Sequence, residues 1–193
     1  MVITEKVEVQ ARSMTMTVKI KGDKVRLDAS PQLSTIVDTS TGDTTTISHA
    51  TKSYMTLSKA QMDQLRKLKG QTTAANTPAG KPKLLDTGKA EKVGDYNSEI
   101  YTLDTPAAHF TFWATKDIPD YAMVKEQLRK FRAASNSGGA TAPDISGMDG
   151  IAAKTQIVTR GQTLTITILS AEEKPIEDSE MAPPPGYTKV STP

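Results

Sequence analysis

The sequence predicts an α+β fold, an antiparallel sheet interrupted by two helices. Three observations carry that reading. Threonine, valine, isoleucine and tyrosine recur in short alternating runs, the composition of half-buried strands. Gly-Asp pairs punctuate those runs at hairpin spacing. Only two segments replace the alternation with a three-to-four-residue apolar spacing, and each is preceded by a capping residue. Helices that interrupt strands, rather than alternating with them, exclude a doubly wound parallel sheet.

The first strands run from Val7 and Val9 into Met14, Met16, Val18 and Ile20. The apolar phase changes from odd to even numbers near Ala11–Ser13, which predicts a bulge or bend. Lys21-Gly22-Asp23-Lys24 reads as a turn, and Val25–Asp28 as the return strand. Leu33–Asp38 and Thr44–Ser48 flank a second hairpin loop, and Lys52–Leu57 closes the meander. Ser58 and Gln61 have the spacing of a capping box, with Met62, Leu65 and Leu68 following and Gly70 as the stop.

Residues 71–83 are small, polar and proline-containing, so they are expected to form a flexible loop. Leu84–Val93 and Ser98–Leu103 are strands joined through Gly94-Asp95. In His109–Ala114 the aromatic residues divide by parity, Phe110 and Phe112 on one side and Trp113 on the other. The two phenylalanines outweigh one tryptophan in apolar area, so their side is assigned to the interior under the helices. Asp120 is the expected N-cap of a helix whose stripe is Tyr121, Val124, Leu128 and Phe131. Residues 133–150 form a second expected flexible loop, and Ala152–Thr159 with Thr163–Leu169 a last hairpin. Pro183-Pro184-Pro185 excludes helix or central strand in the tail. At 193 residues the chain is expected to be a single domain spanning 1–193.

Composition removes several function classes. The net charge is +2 with interleaved signs, so nucleic acid is not the expected partner. No apolar run reaches the roughly 18 residues of a membrane span. With no cysteine there is neither a disulfide nor a thiolate metal site. No Gly-x-Ser-x-Gly elbow and no His-x-x-x-His pair is present, and His49 and His109 have uninformative neighbours. The acidic pairs Glu172-Glu173 and Glu177-Asp178 read as a solvated cluster rather than a calcium site. No catalytic residue, metal or cofactor is therefore assigned, and a hydrolase using His49 or His109 is only a third reading.

Apolar side chains remain. There are eight methionines, and thioethers suit adaptable binding surfaces. If a curved sheet leaves a cavity beneath its helices, the expected lining is Met14, Met16, Val18, Met55, Met62, Leu65, Phe110, Phe112 and Leu128. The same residues would also serve as ordinary core.

Four segments share an order with one known family: VKIKGDKVRLD at 18–28, TGKAEKVGDYNSEIY at 87–101, FWATKD at 112–117 followed by Ile118-Pro119, and PGYTK at 185–189. Together they resemble a bacterial envelope family of unknown function related to the LolA/LolB lipoprotein-carrier fold. The resemblance implies a curved antiparallel half-barrel covered by two or more helices, with a hydrophobic cavity inside. It also implies a periplasmic location, with the export signal absent from this chain. The expected function is a non-enzymatic periplasmic protein that binds an acyl chain, lipid or lipidated peptide, with Ser58–Lys69 and residues 71–83 as a lid. Its expected partners are that hydrophobic ligand or a lipidated protein. The alternative is an envelope protein–protein interaction or sensor module without a small ligand.

Overall fold

The computed structural model describes residues 1–73, 82–135 and 145–190. Twelve strands form one sheet: β1 (Val2–Val9), β2 (Arg12–Lys21), β3 (Lys24–Ser30), β4 (Leu33–Asp38), β5 (Thr44–Ser48), β6 (Ser53–Leu57), β7 (Leu85–Val93), β8 (Tyr96–Asp104), β9 (His109–Thr115), β10 (Ile151–Thr159), β11 (Gln162–Glu172) and β12 (Thr188–Lys189). Helix α1 (Lys59–Thr73) follows β6, and α2 (Tyr121–Ser135) lies between β9 and β10.

Two meanders build the sheet. One runs from β1 to β6, the other from β7 to β11, and they join where β1 pairs antiparallel with β11. Every pairing is antiparallel except the short β12, which adds parallel to β6.

The phase change after Val9 has a different cause from the expected bulge. Gln10 and Ala11 form a two-residue turn, with Val9 opposite Arg12 and Val7 opposite Met14. Such a turn pairs odd residues of one strand with even residues of the next, so the apolar face is unbroken. Gln10 takes φ 55, a conformation that its residue type does not announce. Gly22, φ 54, occupies the predicted turn between β2 and β3.

Across the sheet the register defines two faces. Ile3, Glu5, Val7, Val18, Met16, Val25, Ile168, Ile166, Phe112 and Tyr101 share one of them. Helix α2 packs on this face through Val124 and Phe131, against Ile3, Val18, Ile20, Val25, Val37 and Ile168. On the opposite face, residues 173–187 cross β2 and β3 before β12 docks on β6.

The half-barrel is not found. The sheet is open, with β7 and β12 as its two edges, and among the described residues two α-helices accompany it. The dimensions explain why it is not covered. Twelve strands at their usual spacing span roughly 50 Å, whereas a 15-residue helix is about 22 Å long. Helix α2 accordingly touches only β3, β4 and β10 among its main contacts, and α1 touches β6. Alternation in sequence reports which side chains share a face, but not whether the edges meet.

The capping box at α1 forms as expected: Ser58 Oγ accepts from Gln61 N at 3.3 Å, and Gln61 Oε1 accepts from Ser58 N at 2.9 Å. Helix α1 nevertheless passes through Gly70 to Thr73. Within the expected loop 71–83, residues 74–81 lie outside the described residues; within 133–150, α2 continues to Ser135 and 136–144 lie outside. Asp120 has φ 49 and is not the extended N-cap expected of it.

Candidate functional site

A cavity of about 280 Å³ opens between α2 and the start of β10. Its apolar wall is Leu128, Ile145, Met148, Ile151 and Ala152. Gly150 brings the segment before β10 hard against β9. A Cβ there would stand 2.6 Å from the Thr115 carbonyl oxygen, and φ is +136, so only glycine fits.

The polar rim comes from one side of α2, with Lys125, Glu126, Arg129 and Arg132. Lys125 Nζ donates to the Met148 carbonyl at 2.5 Å, tying the helix to the cavity floor. Arg129 donates through Nε and a terminal nitrogen to both oxygens of Glu126, each at 2.7 Å. Arg132 has no ion pair or hydrogen bond among the described residues. Protein surrounds its guanidinium on most sides, yet much of the residue stays accessible, as for a group set in an open cavity. Burial holds Arg132 below its usual range, and the charge of Glu5 opposes that effect. Glu5 points to the same face from β1, opposite Met16 and Ile168. Burial among these apolar neighbours pushes its carboxyl up, with Arg132 working against the shift.

The expected lining residues divide among several places. Leu128 lines the cavity. Val18 is core under α2. Phe110 and Phe112 lie in a buried cluster with Tyr101, Leu103, Ala114 and Met148, stacked on each other at 6.0 Å. Met14 and Met16 occupy the same face further along β2, with Met14 53% exposed beside exposed Val9. Met55 is half-buried on β6. Met62 faces a separate shallow groove beside Arg129, Lys130 and Ala133, and Leu65 is exposed on α1. The structure thus gathers one expected residue into the cavity and sets two on the open apolar surface of the same face.

Sequence reasoning missed Glu5, Arg132, Ile145 and Met148. A signal existed for two of them. Glu5 breaks an otherwise apolar odd-numbered series, and Arg132 follows Leu128 by four, on the same helix side.

Trp113 is on the other face, packed with Val93 and Ala153. Lys154 Nζ sits 4.2 Å from its ring centroid, and its indole N–H donates to Glu91 at 2.9 Å.

That second face also holds a polar chain. Ser34 Oγ donates to Asp28 at 2.6 Å, His49 Nε2 is 2.8 Å from Ser34 Oγ, and His49 Nδ1 is 3.0 Å from the Tyr187 hydroxyl. Ser34 has one hydrogen, already given to Asp28, so Nε2–H donates to it and Nδ1 accepts from Tyr187. Arg26 closes the group by donating to Asp28, to Ser34 and to the Glu180 carbonyl. A hydrolytic triad needs the serine proton directed at the imidazole and the acid on its far nitrogen. Here both relations are reversed, and the chain fastens the tail to the sheet. His109 is exposed and 2.6 Å from Asp104. Among the described residues no cluster of three metal-ligating side chains occurs, and no helix is long and apolar enough to cross a membrane.

Residues 1–187 match the family described as Domain of unknown function (DUF4412). The chain belongs to that family. No curated protein matches it. Two solved structures of PNGF-II, in C2 and P21 crystal forms, are similar at 13% identity over 99% of this chain, with TM-scores of 0.48 and 0.49. This chain spans only 30% and 31% of the length of those two. Neither the family description nor these structures names a relation to LolA or LolB.

Proposed function

We propose that this member of the family is a non-enzymatic binding protein for an acyl chain, lipid or lipidated peptide, working in the periplasm. The observation that carries the reading is the apolar cavity under α2, on a sheet face whose apolar residues outrun their cover. Val9 and Met14 remain exposed there, 40% and 53%, although they lie on the strands that build the core. Exposed apolar surface on the same sheet face as a preformed cavity suits a hydrophobic ligand. The resemblance of the four sequence segments to lipoprotein-carrier relatives supports the same ligand chemistry and the periplasmic location.

The alternative, an interaction module, would use a free sheet edge. Strand β7 is exposed along nearly all its length. Its pairing shifts between Asp86 and Ala90, and Lys89 and Lys92 lie along it, all features that oppose strand addition. Ligand binding is therefore the better supported reading.

Native mass spectrometry and displacement of a fluorescent fatty acid test it. The purified protein is expected to carry or take up one alkyl ligand, with Met14→Ser weakening uptake and leaving the thermal midpoint unchanged. Trp113 emission should hardly change, because the indole is on the opposite face. Uptake that is absent in the wild-type protein would sink the proposal.

A further inference from the structure

Resting on that reading, we infer that the cavity selects an alkyl chain ending in an oxyanion, with the head held by Arg132 and the chain along Leu128, Met148 and Ile151. The inference follows from which polar groups of the rim are already engaged. Lys125 is bound to the Met148 carbonyl, and Arg129 to both oxygens of Glu126. Arg132 alone among these cations lines the cavity with no ion pair or hydrogen bond among the described residues, and the surrounding protein removes part of its hydration. A partly desolvated guanidinium keeps its fork of donors, and that geometry matches a carboxylate or phosphate.

Glu5 is the charge that bears on Arg132, and it is the sole carboxylate on this face of β1, β2, β10 and β11. It does not come within 4 Å of Arg132, so the guanidinium fork is left open to a ligand. Its own negative charge makes the site discriminate: an oxyanion must be held by Arg132 while kept clear of Glu5. The cavity of about 280 Å³ lies just below the roughly 300–1,000 Å³ common for ligand sites. One chain fits that space better than two, which favours a fatty acid or a single-chain phospholipid.

The test is direct binding of dodecanoate, dodecyl phosphate and dodecanol to the wild-type protein, Arg132→Gln and Glu5→Gln. Either anion should bind about tenfold or more tighter than the alcohol, the size of a charge-assisted hydrogen bond. Arg132→Gln should erase that preference and leave dodecanol unaffected. Glu5→Gln should tighten anion binding and leave dodecanol unaffected, which keeps the test valid if the arginine variant folds poorly. Tighter binding of dodecanoate than of dodecyl phosphate identifies a fatty acid as the source of the head, and the reverse order a phosphate ester. Equal binding of all three compounds overturns the inference and leaves the hydrophobic-ligand reading standing. No binding of any of them overturns both.

Discussion

The two faces of this sheet are finished in opposite ways. On the tail face the chain satisfies its own polar groups. Arg26 places three donors, on Asp28, Ser34 and the Glu180 carbonyl, and Tyr187 closes the row through His49. Ile176 and Met181 are buried in the same tail. On the helix face a single 15-residue helix serves as the main cover, and apolar side chains such as Val9 and Met14 extend past it. The contrast separates two kinds of histidine, serine or arginine that composition alone treats alike. Groups whose hydrogen-bonding capacity is exhausted inside the fold hold it together, whereas an unpaired guanidinium at an apolar cavity is available to something else.

The largest expected effect comes from breaking the helix face. Phe131 is buried where α2 meets Ile3, Val18 and Val37. Phe131→Ala is expected to cost about 3–5 kcal/mol, the transfer loss plus an unfilled cavity. Chemical denaturation should show that drop. Amide exchange should show α2 opening while β4 and β5 remain protected. Uniform loss of protection throughout the sheet would mean that the helix and tail faces are not energetically separable.

The tail face should respond next, through polar chemistry. Arg26→Ala removes three hydrogen bonds, taking one donor each from half-buried Asp28, from buried Ser34 and from the Glu180 carbonyl. Losing a buried charged partner costs about 1–3 kcal/mol or more. The midpoint should fall, and proteolysis within 173–190 should accelerate while α2 remains protected. A change below about 0.5 kcal/mol, the range of ordinary surface substitutions, would show that the tail is held by Ile176 and Met181 alone.

Much of this contrast was legible in the sequence, and the rest was hidden for identifiable reasons. The parity of Phe110 and Phe112 against Trp113 separates the faces correctly, and the Ser58–Gln61 box starts α1 where expected. The stripe of Val124, Leu128 and Phe131 does turn toward the sheet. Closure was not legible, because whether β7 and β12 meet depends on tertiary geometry across the whole sheet. The Gln10-Ala11 turn lacked a glycine or asparagine to mark it. The Asp28–Ser34–His49–Tyr187 row joins residues up to 138 positions apart, between His49 and Tyr187, and no local pattern announces such a contact. Arg132 suits the C-terminal turn of a helix by its charge alone, so that charge does not mark its place on the cavity side, which depends on the packing of α2.

The smallest expected effect has the opposite sign and tests whether the helix face keeps an unsatisfied charge. Burial raises the Glu5 carboxyl above its ordinary value more than Arg132 lowers it. The folded protein therefore binds the Glu5 proton more tightly than the unfolded chain does. This group's contribution to stability is fully present below the unfolded-state value of about 4.3 and is lost as pH rises through the higher folded-state value. At neutral pH Glu5 opposes folding. Glu5→Gln keeps the shape and removes the charge, so its thermal midpoint should exceed that of the wild-type protein at pH 7. The advantage should shrink as acid neutralises Glu5 in the wild-type chain. A carboxylate on the tail face behaves the other way: Lys19 and the Glu177 backbone N–H hold Glu180 below its usual range, so acid weakens that attachment. Matching pH profiles for Glu5→Gln and the wild-type protein would mean that water reaches Glu5 freely, and that the cavity side of the sheet is no less hydrated than the tail side.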